Sequence, residues 1–178
     1  MSRLFAIDVE GAKNIGNIIA DLRGTEKQVV VASMRSLNKT ALWLRTQATR
    51  EISKNRRITQ KIVRERLRVL KASRRQLRSQ VLARLGGVTA TKVGKPRQTK
   101  KGAKVKHYEF PGAFVATMPG GHTGIYRRKR KTRLPIRELT VPLEPEGSEI
   151  IERFLDNGVM QRFEVLFERE LKFLVQKS

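Results

Sequence analysis

The positive charge of this sequence is concentrated in its centre, and this placement limits what the chain can fold into. The segment from Arg45 to Arg137 has 28 basic and 3 acidic residues, against 6 and 4 before it and 5 and 9 after it. The whole chain carries a formal net charge of +23 at pH 7. We therefore expect near-neutral flanks to form a scaffold that presents one polycationic surface. A field of this strength implies a polyanionic partner or an assembly that places the charge against one.

Length and composition predict one soluble domain. The chain has 178 residues, of which 39% are hydrophobic, enough to close a core of ordinary size, so we interpret 1–178 as a single domain. Without cysteine there is no disulfide framework, no cysteine-ligated zinc and no thiol nucleophile. No run of eighteen apolar residues is present, and the N-terminal apolar stretch is too short for a signal peptide. We expect no membrane partner.

A long helix is predicted near the N-terminus, within a basic helical region at 25–75. The sequence TEKQ, from Thr25 to Gln28, has the form of a capping box, in which both side chains bond free amides at a helix start. Apolar residues then recur at alternating spacings of four and three, which predicts a narrow packed seam and a helix reaching Ser53. The seam consists of Val30, Met34, Leu37, Ala41, Leu44 and Ala48. Thr59 is expected to cap a second, shorter helix, and its buried side would consist of Ile62, Val63, Leu67 and Leu70.

The region 77–140 is predicted to be β-sheet. Leu77 to Val93, interrupted by two glycines, predicts two short strands. The segment 92–106 has seven cations, no acid, one proline and two glycines, so we interpret it as a mobile loop. Glycines in the turn PGGHTG supply the positive φ angles that a hairpin requires. The remaining strands are expected at His107–Phe110, Ala113–Met118, Ile125–Arg127 and Leu134–Leu139.

Two C-terminal helices are predicted over 148–176. Ser148 fits an N-cap, and Glu149 is favourable in the first turn. The apolar stripe of the last helix consists of Val159, Phe163, Leu166, Phe167, Leu171 and Leu174. The order of helices, then strands, then helices predicts an α+β fold. In it, a long N-terminal helix and a C-terminal helix pack on a small, mainly antiparallel β-sheet with basic loops.

The sequence offers no arrangement of residues for catalysis, and we predict that the protein is not an enzyme. Its two histidines, His107 and His122, have no acidic residue at a spacing that indicates a triad or a metal site. We expect His122 to be a turn residue that bonds nearby backbone. The basic centre has no cluster of carboxylates for metal-assisted hydrolysis, and no glycine-rich phosphate loop is found. No cofactor and no metal are therefore expected.

Polyanion binding is better supported, and the candidate residues come from three basic stretches. The five consecutive cations from Arg127 to Lys131 lie at the end of a predicted hairpin, where such a cluster is costly to hold without phosphates nearby. Between Arg45 and Arg84, 14 cations accompany 2 acids, so few i to i+4 ion pairs can form; a solvated helix face and an anion-binding face both stay open. The candidate residues are Arg127, Arg128, Lys129, Arg130, Lys131, Lys100, Lys101, Lys104, Arg57 and Arg64.

The composition of the basic centre indicates the kind of contact. From Arg45 through Lys106 there is no Phe, Tyr or Trp, so the aromatic platforms that stack single-stranded bases are missing. No helix pair with a base-reading helix is recognisable either. We therefore expect sequence-independent attraction to the phosphates of duplex DNA.

An ordered set of short motifs resembles the minor tail protein Z, or tail completion protein, family of long-tailed bacteriophages and prophages. The set comprises PGAFVATMPGGHTGIYRR, then RLPIREL, with SLNKTALWLRTQATREIS and RERLRVLKAS earlier in the chain. The resemblance covers most of the chain from about Val30 to Leu139. One departure is the long insertion RRKRKT before Leu134, which leaves the role of those cations open.

The resemblance implies a virion component at the head-proximal end of the tail, assembled in the host cytoplasm. Proteins at that joint are rings, often sixfold, so we expect a homo-hexamer. The partners implied are the tail terminator, the tail tube, neck or connector proteins and genomic double-stranded DNA passing through the ring.

Two other interpretations remain open at this point. The cations of a neck subunit can meet acidic surfaces of neighbouring proteins instead of DNA. The composition also permits an RNA-binding protein of ribosomal type, which would prefer structured RNA to duplex DNA.

Overall fold

The computed structural model describes residues 2–10, 14–129 and 134–177. Its helices are α1 Ile15–Leu22, α2 Glu26–Arg56, α3 Gln60–Arg66, α4 Ala90–Val93, α5 Glu146–Asp156 and α6 Val159–Gln176. Its strands are β1 Arg3–Asp8, β2 Leu67–Leu70, β3 Arg78–Ala83, β4 Val88–Thr89, β5 Arg97–Thr99, β6 Gly102–Val105, β7 Tyr108–Pro111, β8 Phe114–Thr117, β9 Thr123–Arg128, β10 Ile136–Glu138 and β11 Thr140–Val141. The predicted α+β class, with a long N-terminal helix and a C-terminal helix, is confirmed.

Helix α2 begins at the predicted capping box and continues past Ser53. Gln28 accepts the Thr25 backbone N–H at 2.9 Å, and the 31-residue helix is about 46 Å long at about 1.5 Å per residue. Arg57 ends the helix in the left-handed conformation, and its N–H is donated to the Lys54 carbonyl. The central residues of the predicted seam are fully buried, namely Leu37, Ala41, Leu44 and Ala48.

Helices α5 and α6 lie antiparallel along α2, as the contacts at successive positions require. The pairs are Arg56 with Glu146, Glu51 with Arg153, Lys39 with Glu170 and Gln28 with the Leu174 carbonyl. The predicted stripe of α6 is buried at Val159, Phe163, Leu166, Phe167 and Leu171. Val159, Phe163, Phe167 and Leu171 form the centre of the core together with the fully buried residues of the α2 seam.

The strands form several small antiparallel sheets, where the sequence predicted a single one. Among the described residues their orders are β1-β3-β2, β5-β6-β7, β10-β9-β8 and β11-β4. The first sheet contributes Phe5, Ile7 and Val81 to the core that also contains the seam of α2. The other two three-stranded sheets carry most of the candidate cations.

Three local predictions are wrong. The helical region does not reach residue 75, because β2 begins at Leu67 and pairs with β3; Leu70 consequently points outward, with 37% of its surface exposed. The segment 92–106 is not a loop throughout, since β5 and β6 pair within it as a hairpin. Ser148 is not an N-cap: α5 begins at Glu146 after Pro145, and Ser148 is buried inside its first turn.

The seam of α2 predicts a large difference between two leucines of the same helix. Leu44→Ala removes a fully buried side chain and should lower the free energy of unfolding by about 3 kcal/mol, because it leaves a cavity at the helix contact. Leu42→Ala is the matched control, since Leu42 is 39% exposed, and should cost less than about 1 kcal/mol. Urea denaturation followed by circular dichroism measures both. Equal losses would contradict this placement of the core.

Candidate polyanion-binding surface

Strand β7 connects the C-terminal end of α2 to the hairpin that β5 and β6 form. At the start of the strand, the Tyr108 hydroxyl donates a hydrogen bond to the Arg56 carbonyl oxygen at 2.5 Å. Burial raises the pKa of Tyr108 above its ordinary value of 10, so the hydroxyl keeps its proton near neutral pH. Arg57, a candidate residue, directly follows Arg56 and is exposed. The other end of β7, at Pro111, pairs with Gly102 of β6.

Lys100 and Lys101 occupy the two-residue turn of the β5–β6 hairpin, where Thr99 faces Gly102. Gly102 has φ +153°, and a Cβ at this position would lie 2.2 Å from the Phe110 carbonyl oxygen. Only glycine allows the hairpin to approach β7 this closely. The Lys101 carbonyl accepts the Gly112 N–H at 3.0 Å, so both lysines sit on a backbone that is bonded to the neighbouring chain segment.

Gln98 fixes the same hairpin to strand β8. Its amide nitrogen donates to the Gly102 carbonyl at 2.8 Å and lies 3.4 Å from the Ala113 carbonyl. Its amide oxygen accepts the Val115 backbone N–H at 2.8 Å. The sequence analysis missed Gln98, because an amide that bonds backbone groups distant in sequence has no local pattern.

The consecutive cations at and after the end of β9 differ from one another in their surroundings. The Arg127 guanidinium donates to the Pro111 carbonyl oxygen at 2.7 Å, so this side chain ties β9 to the end of β7. The Arg128 guanidinium lies over the Phe114 ring at 5.6 Å, and both Arg128 and Lys129 are exposed. Arg130 and Lys131 lie outside the described residues. Arg127 therefore has a structural partner, whereas Arg128 and Lys129 face solvent.

The structure brings some of the predicted residues together and leaves others, Arg57 and Arg64 among them, apart. We call Lys100, Lys101, Arg128 and Lys129 the hairpin surface, because the Gln98 and Arg127 bonds join the two basic elements that carry them. Lys104 lies on β6 beside this surface, but its ammonium is 2.9 Å from the Glu109 carboxylate. Arg64 is exposed on α3, one turn after Lys61, and no contact recorded between described residues connects it to the hairpin.

Most carboxylates that form ion pairs join elements of the fold to one another and lie away from the hairpin surface. Those in the described residues are Glu51, Glu109, Glu138, Glu146, Glu152 and Glu170. Over the same residues, no carboxylate lies within ion-pair distance of the four cations of the hairpin surface. Their charge is available to an external anion.

The surroundings of His122 differ from the prediction. Its Nε2 lies 2.8 Å from the Glu138 carboxylate, so the partner of the His122 ring is a side chain on β10 and not nearby backbone.

In the described parts of the chain, no group of three or more acidic or histidine side chains is arranged to hold a metal ion. No helix found there is both long and apolar enough to cross a bilayer. That the protein is not an enzyme stays a prediction.

The structure therefore defines a small basic α+β protein whose exposed cations stand on hydrogen-bonded strands and turns. The profile of a family described as prophage minor tail protein Z (GPZ) matches residues 12–177. The chain belongs to this family, so the predicted resemblance is confirmed. It is also 28% identical over 143 residues to the tail completion protein of Escherichia phage N15, covering 74% of this chain and 78% of that protein. No solved structure matches the chain.

Gln98 is predicted to hold the β5–β6 hairpin against β8. Gln98→Ala removes the acceptor of the Val115 N–H, so amide hydrogen exchange at Val115 should accelerate roughly fivefold, the effect of losing about 1 kcal/mol. Gln161→Ala, an exposed position on α6, is the control and should leave this amide unchanged. Exchange followed by NMR distinguishes them. The same rate in both variants would show that Gln98 does not position the hairpin.

Proposed function

We propose that this protein is a phage tail completion protein that acts at the head-proximal end of the tail. Membership of the minor tail protein Z family and the name of the phage N15 relative support a role in the tail. In this proposal several copies, expected to be six, form a ring at the joint with the tail terminator, the tail tube and the connector. The hairpin surface of each copy faces the genomic DNA that passes through the ring.

The observation that carries the proposal is the hairpin surface itself. Its four exposed cations stand on the β5–β6 turn and at the end of β9, and none has a carboxylate partner among the described residues. A ring repeats this surface around its axis, so a few cations per copy produce a continuous positive lining. Such a lining attracts phosphates of any sequence and does not need to read bases. The Gln98 side-chain amide bonds the Gly102 carbonyl and the Gly112 N–H bonds the Lys101 carbonyl, so the turn that carries Lys100 and Lys101 is held in place, which limits the ordering cost of binding.

The hairpin surface makes a quantitative prediction for duplex DNA. Neutralising its four cations, as Lys100→Gln, Lys101→Gln, Arg128→Gln and Lys129→Gln, should lower affinity for a short duplex. It should also reduce the slope of log K against log salt by roughly 3 to 4, since each phosphate contact contributes about 0.9. Arg127 is left unchanged because its guanidinium bonds the Pro111 carbonyl. Fluorescence anisotropy over a salt series measures both quantities.

The matched control changes four other exposed cations by the same charge, namely Arg23, Lys27, Lys54 and Lys172. If the hairpin surface binds DNA, the control loses much less affinity than the hairpin variant. Equal losses in both variants would mean that net charge alone attracts DNA and would overturn the assignment of this surface. Tighter binding of structured RNA than of duplex DNA would favour the ribosomal-type alternative instead.

A further inference from the structure

A second basic site lies on the helical part of the molecule, in a groove between α2 and α6. We call it the α2–α6 groove. It is lined by Arg35, Lys39, Arg162, Leu166, Arg169, Glu170 and Phe173. None of these residues belongs to the hairpin surface, and the sequence analysis singled out none of the cations among them.

The rim cations of α2 are held in place by a buried carboxylate. Glu170 is 8% exposed, and its two oxygens contact Lys39 and, at 3.5 Å, Arg35. One carboxylate thus serves two cations. Both remain substantially exposed, with 43% of the Arg35 side chain and 54% of the Lys39 side chain accessible. The pair therefore lines the groove as an oriented group that keeps one net positive charge.

The α6 side of the groove adds two further cations. Arg162 and Arg169 are exposed and seven residues apart, so they project from one face of the helix about two turns from each other. Over the described residues, neither lies within ion-pair distance of a carboxylate. The groove consequently has an excess of positive charge along its whole length.

Beside these cations the groove exposes one large apolar side chain. Phe173 is 55% exposed although it lies on the same helical face as Arg162 and Arg169, and Leu166, which lies between those two arginines, is only 9% exposed. The Lys177 ammonium stands 6.0 Å from the Phe173 ring centre. Exposed aromatic side chains surrounded by charge are typical of protein interfaces, where they act as anchors in a pocket of the partner.

We propose that the α2–α6 groove is a docking site for an acidic amphipathic helix of a neighbouring protein. Carboxylates of such a helix would pair with Arg35, Lys39, Arg162 and Arg169, while its apolar face would cover Phe173. Laying an amphipathic helix into a groove between two helices is a recurrent mode of peptide recognition. A phosphate backbone matches the cations but not the exposed aromatic ring, so protein fits this site better than duplex DNA.

This inference goes beyond the proposed function, since it assigns a protein partner to a surface separate from the DNA-facing hairpin. It also gives the chain two surfaces of different chemistry. In the hairpin surface the aromatic ring, Phe114, is partly buried under Arg128, whereas in the α2–α6 groove Phe173 is 55% exposed and open to a partner. Failure of DNA binding at the hairpin would leave the groove proposal standing, and the reverse also holds.

The test uses the full chain and a synthetic probe. The probe is a fluorescein-labelled, 20-residue peptide of Glu, Ala and Leu with leucines at helical spacing; a scrambled peptide of identical composition is the control. Anisotropy at physiological ionic strength should show at least about tenfold tighter binding of the patterned peptide, since only it offers one apolar face. Equal binding of both peptides would overturn the proposal, because it would show attraction by charge alone.

Substitutions on α6 locate the binding site with matched pairs. Arg169→Glu should weaken peptide binding about tenfold, while Lys172→Glu, the same charge change outside the groove, should alter it less than about twofold. Phe173→Ser should likewise weaken binding about fivefold or more, and Val165→Ser, at a 58% exposed position that does not line the groove, should not. Circular dichroism verifies that each variant is folded.

Three results would overturn the proposal. In the first, the members of each matched pair bind the peptide equally. In the second, Arg169→Glu weakens duplex DNA binding more than Lys172→Glu does, which would assign the groove to DNA. In the third, sedimentation shows self-association that Arg169→Glu and Phe173→Ser abolish, which would assign the groove to a second copy of the chain.

Discussion

The packing of α2 against α5 and α6 is the interaction on which the rest of the structure depends. Alternating leucines and alanines, all fully buried, allow the helices to approach closely along the seam of α2. Each buried leucine contributes roughly 1.5–3 kcal/mol of hydrophobic stabilisation. Because α2 is long, its first half holds α6 while its last turn contacts Glu146 of α5 and Tyr108 of β7. One helix therefore sets the positions of the α2–α6 groove and of the strand that supports the basic hairpin.

The same packing separates the charges of the chain. Acidic residues of α5 and α6 pair with cations of α2 and β1, as Glu146, Glu152 and Glu170 do. These pairs leave the cations of the β5–β6 turn and of β9 without a carboxylate among the described residues. Folding thus leaves uncompensated charge on this sheet region, as it also does on the α6 side of the α2–α6 groove. Surface ion pairs of this kind contribute little to stability, so their main effect is on where the remaining charge lies.

Features set by local sequence could be predicted, and features set by distant contacts could not. The start and seam of α2 follow from a capping box and from apolar spacing, and both are local signals. The β5–β6 hairpin has the composition of a loop. It forms because the Gln98 side chain bonds the Val115 backbone and because Gly102 allows the hairpin to approach Phe110 closely. Likewise, Leu67 follows a helical pattern but pairs with Ala83 as a strand, since β3 is available beside it.

The candidate sites show the same limit on prediction. A run of consecutive cations looks uniform in the sequence, but the position of Pro111 makes Arg127 a structural residue and leaves Arg128 and Lys129 exposed. The α2–α6 groove has no run at all, because its cations come from two helices more than a hundred residues apart and are assembled by the helix packing. Charge density along the chain therefore identifies only surfaces built from one segment. A surface shared by two segments becomes visible when their packing is known, and here that packing places the exposed Phe173 ring beside cations from both helices.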